Sequence, residues 1–453
     1  MRGAKSSERN EKRHKMRLPE KLWIVASVVC ILFRPVAIAE PGDSSSSGPH
    51  LKFALILTRH GIRSPTWTND RLNEYAKDEW PKWNVAPGML TPHGRALMVS
   101  FGGYYREYFA SQGLFSAQGC SGADQVYFLA DKDQRTTETG HALAEGLFPG
   151  CASKVHTVGE VHEEALFHPT GKVGTRDSGL ALAAVAGRIG ADPATLLPAF
   201  EMQLQQMQRV LFGCPDDKCV VSGRQSVLEA APSLQAGSGD HLVTIKGPLP
   251  TGATMAENFQ LEYLEGMPLS QIGWGRVDER TMRSLMLIHS ASSDLIQRTP
   301  YIARAQGSNL LAHIQETLDQ AELHKHVPGA IGSPDDKVAF LVGHDTNIAN
   351  VAALLDAHWL ISGYQPDDAA PGGALVFELW HQDGQVDSLR TYYVVQTPNQ
   401  MRNPSRVSLE NVPAKAVIFL PGCSGAGAGS PCSGRAFSSL VDRVIDPAFV
   451  QQE

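Results

Sequence analysis

Leu51-Lys52-Phe53-Ala54-Leu55-Ile56-Leu57-Thr58-Arg59-His60-Gly61-Ile62-Arg63-Ser64-Pro65-Thr66 is the stretch that decides the fold. Its first half is short, almost wholly apolar and closed by a turn, which predicts a buried strand. Its second half sets two guanidiniums around an imidazole at the end of that strand. Charged groups in such a position need partners, so Arg59, His60 and Arg63 mark a site for a dense anion. Arginine forks match phosphate oxygens bidentately, and the imidazole between them is placed to attack phosphorus.

Two further segments have the same grammar of strand, polar loop and helix. Asp124 to Ala130 reads as a strand and runs into Asp131-Lys132-Asp133-Gln134-Arg135-Thr136, which opens a helix through Gly146. Lys337 to Val342 reads as a strand and ends in Gly343-His344-Asp345-Thr346, ahead of a helical pattern from Asn347 to Leu360. In an open parallel sheet the carboxyl ends of the strands line one crevice, where ligands bind. Helix N-termini facing the same crevice favour phosphate. The expectation is that Arg59, His60, Arg63, Arg135, His344 and Asp345 converge there.

The expected class is α/β: an open, mostly parallel sheet flanked by helices, with an inserted, mostly α-helical second lobe. Residues 49–179 and 301–453 supply the two parts of the sheet domain, and residues 180–300 the lobe. Within the lobe, Asp192 to Leu211 carries a helical apolar pattern with Asp192 as its cap. Ala256 to Leu264 is another helix, and Arg280 to Ser308 holds at least one more despite Pro300. Ala374 to Trp380, Leu389 to Val395 and Val417 to Leu420 read as later strands.

The N-terminus is a separate object. A basic stretch, a twelve-residue apolar run from Leu22 to Phe33 broken only by Ser27, and the small-x-small Ala37-Ile38-Ala39 describe a secretory signal peptide over residues 1–39. Met16 is an alternative start. Residues 40–48 form a flexible leader. The whole chain of 453 residues carries a net charge of -7. Removing residues 1–39 takes away nine Lys or Arg and three Asp or Glu, leaving -13. With no basic stripe, nucleic acid is excluded as a partner. No stable membrane association is expected after cleavage, and the mature protein reads as a monomer, periplasmic or secreted. An anion site in so acidic a chain must concentrate its positive charge locally and should prefer acid.

Cysteine usage agrees with export. Six cysteines remain after cleavage: Cys120, Cys151, Cys214, Cys219, Cys423 and Cys432. An even count in an oxidising compartment predicts three bridges. Cys214 with Cys219, Cys423 with Cys432, and Cys120 with Cys151 is the simplest of many pairings.

Arg59-His60-Gly61-Ile62-Arg63-Ser64-Pro65-Thr66, Asp133-Gln134-Arg135-Thr136 and Gly343-His344-Asp345-Thr346-Asn347 resemble the motifs of the histidine acid phosphatases, in the bacterial periplasmic branch that includes phytase and glucose-1-phosphatase. Weaker matches are Trp80-Pro81-Lys82-Trp83, Leu90-Thr91-Pro92-His93-Gly94, Met255-Ala256-Glu257-Asn258-Phe259 and Gly273-Trp274-Gly275-Arg276. The resemblance covers Leu51 to Arg435. It implies an α/β sheet domain with a helical lobe and a site in the cleft between them. It makes His60 the nucleophile and Asp345 the proton donor, with Arg59, Arg63, Arg135 and His344 as phosphate holders. Thr66 and Glu257 correspond to pocket positions. The three bridges above also fit the branch.

The chemistry needs no cofactor and no metal, because the arginines meet the charge of the transition state. The implied activity is acid hydrolysis of small-molecule phosphate monoesters through a phosphohistidine, with phytate (inositol hexakisphosphate) as the leading substrate. A glucose-1-phosphatase or other sugar-phosphate phosphatase, a phosphotransferase and a non-enzymatic phosphate-ester binder are the alternatives. One departure bears on substrate. The branch's phytases tend to place a lysine after the threonine of the first motif, and here the residue is Trp67. Lys77, Lys82, Arg71, His162 and Lys172 are nearby cations that could replace it.

Overall fold

The computed structural model describes residues 48–451, apart from 160–163, 170–172, 216–219, 240 and 428. The signal peptide, nearly all of the leader, and Cys219, His162 and Lys172 lie outside the described residues.

The strands, in chain order, are β1 (His50–Arg59), β2 (Val126–Ala130), β3 (Val155–Thr157), β4 (Ser233–Ala236), β5 (Val243–Lys246), β6 (Val338–Gly343), β7 (Ala374–His381), β8 (Ser388–Val395), β9 (Ala414–Val417) and β10 (Cys432–Ser433). The helices are α1 (Asn69–Asn73), α2 (Pro92–Ser111), α3 (Gln134–Leu147), α4 (Ser178–Ile189), α5 (Glu201–Phe212), α6 (Pro248–Leu264), α7 (Glu279–Gln297), α8 (Pro300–Leu323), α9 (Asp345–Leu354), α10 (Pro398–Arg402) and α11 (Gly434–Val444). No single helix among the described residues is long and apolar enough to cross a membrane.

The main sheet has the order β10-β8-β7-β1-β6-β2-β3, with β9 also on β8. β1, β6, β2 and β3 are parallel. This core is the α/β arrangement expected, with helical crossovers between its strands. The later strands β7 to β10 join it antiparallel. Only β7 and β8 are joined by a short link, His381 to Ser388, which permits only an antiparallel pair. β1 and β6 are buried almost throughout, which is why both read as continuous apolar runs.

Helices pack on both faces. The side chains of β1 alternate between them: Phe53, Leu55 and Leu57 join one core with α8 and α9, whereas Ala54 and Ile56 join another with α2 and α3. The start of α2 is pressed against the chain after β1, where a Cβ on Gly94 would collide with the carbonyl of Ile62. A third core gathers α4 to α7 around Met207, Phe259 and Met286, and takes in Leu72 and Trp80. Trp80 stacks on Phe259 at 5.0 Å.

The segment from α4 to α7 is mainly helical and also carries the two-stranded β4–β5 ribbon, which the periodicity did not announce. Pro198 splits the expected Asp192–Leu211 helix into a 3-10 segment, Pro193–Phe200, and α5. Pro300 does not interrupt a helix but begins α8, at a position where its missing N–H costs nothing. α9 stops at Leu354, short of the expected Leu360, because Asp356 takes a left-handed φ of 50°. The last expected strand is shifted: β9 ends at Val417, and the following residues lead into a bridged turn.

Cys120–Cys151 and Cys423–Cys432 are disulfides. Cys214 is also disulfide-bonded.

Candidate active site

The parallel strands end level with one another. Arg59 pairs with Gly343 and Ala130 with Val342. The residues that follow each strand therefore meet: His60 donates its N–H to the Gly343 carbonyl at 3.0 Å, and Asp131 donates to Val342 at 2.9 Å. α3 and α9 begin within a few residues of these ends, so their N–H-rich termini face the same place. A cavity of about 440 Å³ lies there. Arg59, His60, Arg63, Thr66, Arg135, His344 and Asp345 all line it. The three motifs predicted to converge are brought together.

His60 is the centre. It is 2 % exposed. Its Nδ1 lies 2.8 Å from its neighbour's carbonyl, Gly61 O. A carbonyl only accepts, so Nδ1 carries the proton and Nε2 keeps its lone pair. The Gly61 N–H is itself held by Thr139 Oγ1 at 3.0 Å, which ties the loop to α3. Burial, then the positive charges of Arg59, His344, Arg63 and Arg135, hold His60 well below the ordinary histidine pKa. The ring stays neutral in acid and remains a nucleophile.

The arginines are fixed from behind. Arg59 donates to the Ala369 carbonyl at 2.9 Å and to Glu257 Oε1 at 2.7 Å. Arg63 donates to both oxygens of Glu257, at 3.1 and 3.0 Å. Burial alone would raise the Glu257 pKa, but Arg63 and Arg59 outweigh it and hold the carboxyl well below the usual range. Glu257, on α6, is thus an anchor that aims two guanidiniums. Its side chain is 13 % exposed and is not among the residues lining the cavity. Arg135 is steered by Asp133, at 2.6 Å.

His344 shows a division of labour between its nitrogens. Nε2 lies 2.8 Å from Asp131 Oδ2. Nδ1 lies 3.4 Å from an Arg135 nitrogen, on the cavity side. Its backbone N–H is held by Asn347 Oδ1 at 2.8 Å, and Asn347 in turn donates to the Phe167 carbonyl. The His60 and His344 rings meet edge to face, 5.6 Å apart.

Asp345 opens α9, 3.4 Å from Arg59, with its side chain 35 % exposed. Burial raises its pKa, but Arg59 prevails and sets the carboxyl below its ordinary value in the free protein. Asp345 also borders a second cavity, lined by His289, Arg298 and Asp368 among others.

Several participants were not singled out from sequence. Asp131 is the first residue after β2, inside the quoted motif, and its position at a strand end was the available signal. His168 sits in a loop with no motif around it, yet lines the cavity and reaches Asp131 Oδ2 at 3.1 Å. His241, Gln297 and Gln306 also line it. Trp67 does not; it packs against the third core, and the Arg71 guanidinium lies 3.6 Å over its ring.

These features have counterparts. The model of the histidine phosphatase superfamily (branch 2) matches residues 50–187 and 257–396. Phytase AppA of Escherichia coli (strain K12) is 34% identical over 415 residues, covering 89% of this chain and 94% of the relative. Glucose-1-phosphatase of Salmonella typhimurium is 30% identical over 396 residues, covering 85% and 90%. The structure of Hafnia alvei phytase in complex with myo-inositol hexakis sulphate superposes with a TM-score of 0.78 at 33% identity, covering 90% of this chain and 100% of the other. With both ends of the cleft and the sheet beneath it inside these matches, the chain belongs to the histidine phosphatase superfamily (branch 2), in its phytase and glucose-1-phosphatase branch.

Proposed function

We propose that this protein is an exported acid phosphomonoesterase that works through a phosphohistidine at His60 and acts on phytate and other organic phosphate monoesters. The observation that carries the reading is His60 itself: a neutral, buried imidazole with Nδ1 tied to a carbonyl, surrounded by cavity-lining cations.

The phosphoryl group sits among Arg59, Arg63, Arg135 and the Nδ1 side of His344. The N–H donors of the three arginines meet the negative charge that the transition state spreads over the equatorial oxygens. His60 Nε2 attacks phosphorus in line, and the bond to the ester oxygen breaks. That oxygen leaves as a poor alkoxide unless it receives a proton. Asp345 is the acid at hand. A phosphate in the cradle offsets the charge of Arg59 and adds negative charge beside Asp345, so the carboxyl rises from its low free value and gains the proton it must deliver. Water then attacks the phosphohistidine, with Asp345 as base. Asp131 and Glu257 act as positioning residues: one orients His344, the other Arg59 and Arg63.

Phytate is favoured over a sugar phosphate by the relatives named phytase. Trp67 stands where a lysine was expected, but neither it nor Arg71, whose guanidinium stacks on its ring, lines the cavity, so the cations that meet the substrate are Arg59, Arg63 and Arg135. The deciding experiment compares kcat/KM for phytate, glucose 1-phosphate and an aryl phosphate at acid pH. Phytate is expected to be preferred over glucose 1-phosphate. A tenfold preference for glucose 1-phosphate, about 1.4 kcal/mol of transition-state binding, would replace phytate with a sugar phosphate and leave the phosphatase reading intact. Export is tested by N-terminal sequencing of protein recovered outside the cytoplasm, which is expected to begin at Glu40.

A further inference from the structure

Beside the phosphate cradle lies a cluster whose composition goes beyond what positioning His344 requires. Asp131, Asp133, His168 and His344 each offer one ligand atom, and these atoms lie within 4.8 Å of one another. Both imidazoles turn Nε2 to the same oxygen, Asp131 Oδ2, at 2.8 Å from His344 and 3.1 Å from His168. Asp133 Oδ2 is 3.7 Å from His344 Nε2. The other oxygen of Asp131, Oδ1, is buried without a hydrogen-bond partner, in a residue only 1 % exposed. A buried carboxylate with an unmatched oxygen still draws positive charge.

We propose that Asp131 Oδ2, Asp133 Oδ2, His168 Nε2 and His344 Nε2 form a binding site for a divalent transition-metal ion of the zinc and cobalt class. Bonds of about 2.0–2.1 Å to nitrogen and oxygen make a tetrahedron with edges of about 3.3 Å. The separations of 2.8, 3.1 and 3.7 Å bracket that edge, and no two of the four atoms lie more than 4.8 Å apart, so closing the site draws the widest pair in by at most about 1.5 Å. Two imidazoles with two carboxylates select zinc or cobalt over calcium or magnesium, which prefer oxygen alone. Two carboxylates also match the charge of a dication.

The surroundings set the pH dependence. The β2–α3 junction contributes Asp131, Asp133 and Arg135; the end of β1 contributes His60 and Arg63; the β6–α9 junction contributes His344 and Asp345; the loop after Leu166 contributes His168. Arg135 holds Asp133 at 2.6 Å and must share it. Coordination takes imidazole lone pairs, so the ion competes with protons and binds at neutral pH in preference to acid. His344 offers Nε2 to the metal and Nδ1 to the cavity. The site therefore adjoins the phosphate without displacing it, and it stands on this geometry whether or not the protein is a phosphatase.

The test is titration of the untagged mature protein with Co²⁺ at about pH 7.5 and about pH 5, followed by visible absorption and calorimetry. The expected result is one equivalent bound near neutrality, with the intense d–d absorption of tetrahedral Co²⁺, displaced by Zn²⁺ and at least tenfold weaker at the lower pH. His168→Asn and Asp133→Asn, neither of them deeply buried, are each expected to weaken binding at least tenfold and to abolish the tetrahedral spectrum. Sub-stoichiometric binding, an octahedral spectrum, or equal affinity in wild type and both folded variants would overturn the proposal. Circular dichroism of the variants separates loss of the ligand from loss of the fold.

Discussion

Glu262 makes the stability of this protein a function of pH in a way that can be worked out beforehand. It lies on α6, in the helical part of the chain, and is fully buried. Oε2 accepts the Gly273 N–H at 3.2 Å, while Oε1 has no partner. That one hydrogen bond reaches the turn at Gly273 and Trp274, whose φ values of 51° and 56° are both left-handed. Burial pushes the carboxyl up from 4.5 to about 8, against the smaller opposite pull of the Gly273 N–H. The folded state thus keeps a proton that the unfolded state has released. Its contribution is complete below the unfolded pKa and is lost as pH rises through the folded one. Between about pH 5 and 7.5 the loss integrates to about 3 kcal/mol, a large fraction of the stability of an ordinary domain.

Glu262→Gln removes the titration and keeps an acceptor for Gly273. Urea unfolding of both proteins across this range, followed by tryptophan fluorescence and circular dichroism together, measures the difference. Wild type is expected to lose about 3 kcal/mol more than the variant on going from acid to neutral. Equal pH slopes in the two proteins would refute the reasoning, because a Glu262 that ionised freely in the fold would contribute no slope.

Other outcomes follow from the site. His60→Ala is expected to abolish turnover and the phosphoenzyme with the fold intact; trapping under basic quench, which preserves phosphohistidine, checks it, and phosphate found on serine would end the reading. Asp345→Asn is expected to slow esters with poor leaving groups by about 10²–10⁴-fold and p-nitrophenyl phosphate much less; equal losses would assign Asp345 to positioning. Because bound phosphate raises Asp345 from its low free value, the alkaline limb of kcat for a poor leaving group is expected at higher pH than that of kcat/KM, measured on one substrate. Glu257→Gln leaves Arg63 without its counter-charge and Arg59 with Asp345 alone, and breaking such a buried pair costs about 3–5 kcal/mol; a lowered melting temperature together with reduced kcat/KM is expected.

Much of this molecule was written in local sequence. Apolar runs ending in charge made β1, β2 and β6 legible, and the density of Arg59, His60 and Arg63 marked the anion site before any fold was known. Both signals survive because strand burial and anion binding depend on residues adjacent in the chain. Proline positions carried less certain meaning: Pro198 divided a helix that periodicity had drawn whole, whereas Pro300 began a new one. Which happens depends on whether the preceding residues have partners elsewhere, and that is a tertiary matter.

What only the tertiary structure decided is the company each side chain keeps. Glu257 reads in sequence as a pocket residue, and the fold brings its carboxylate to Arg59 and Arg63, where two guanidiniums keep ionised a carboxylate that burial would otherwise neutralise. His168 carries no local signal at all; it matters because the sheet order places β2 beside β6 and so gives His168 and His344 one carboxylate, Asp131, to share. Sequence periodicity reports which face of an element is buried, since burial is a property of one segment and solvent. A shared hydrogen bond or a shifted pKa is a property of two or more segments at a fixed distance, and that distance exists only once the chain has folded.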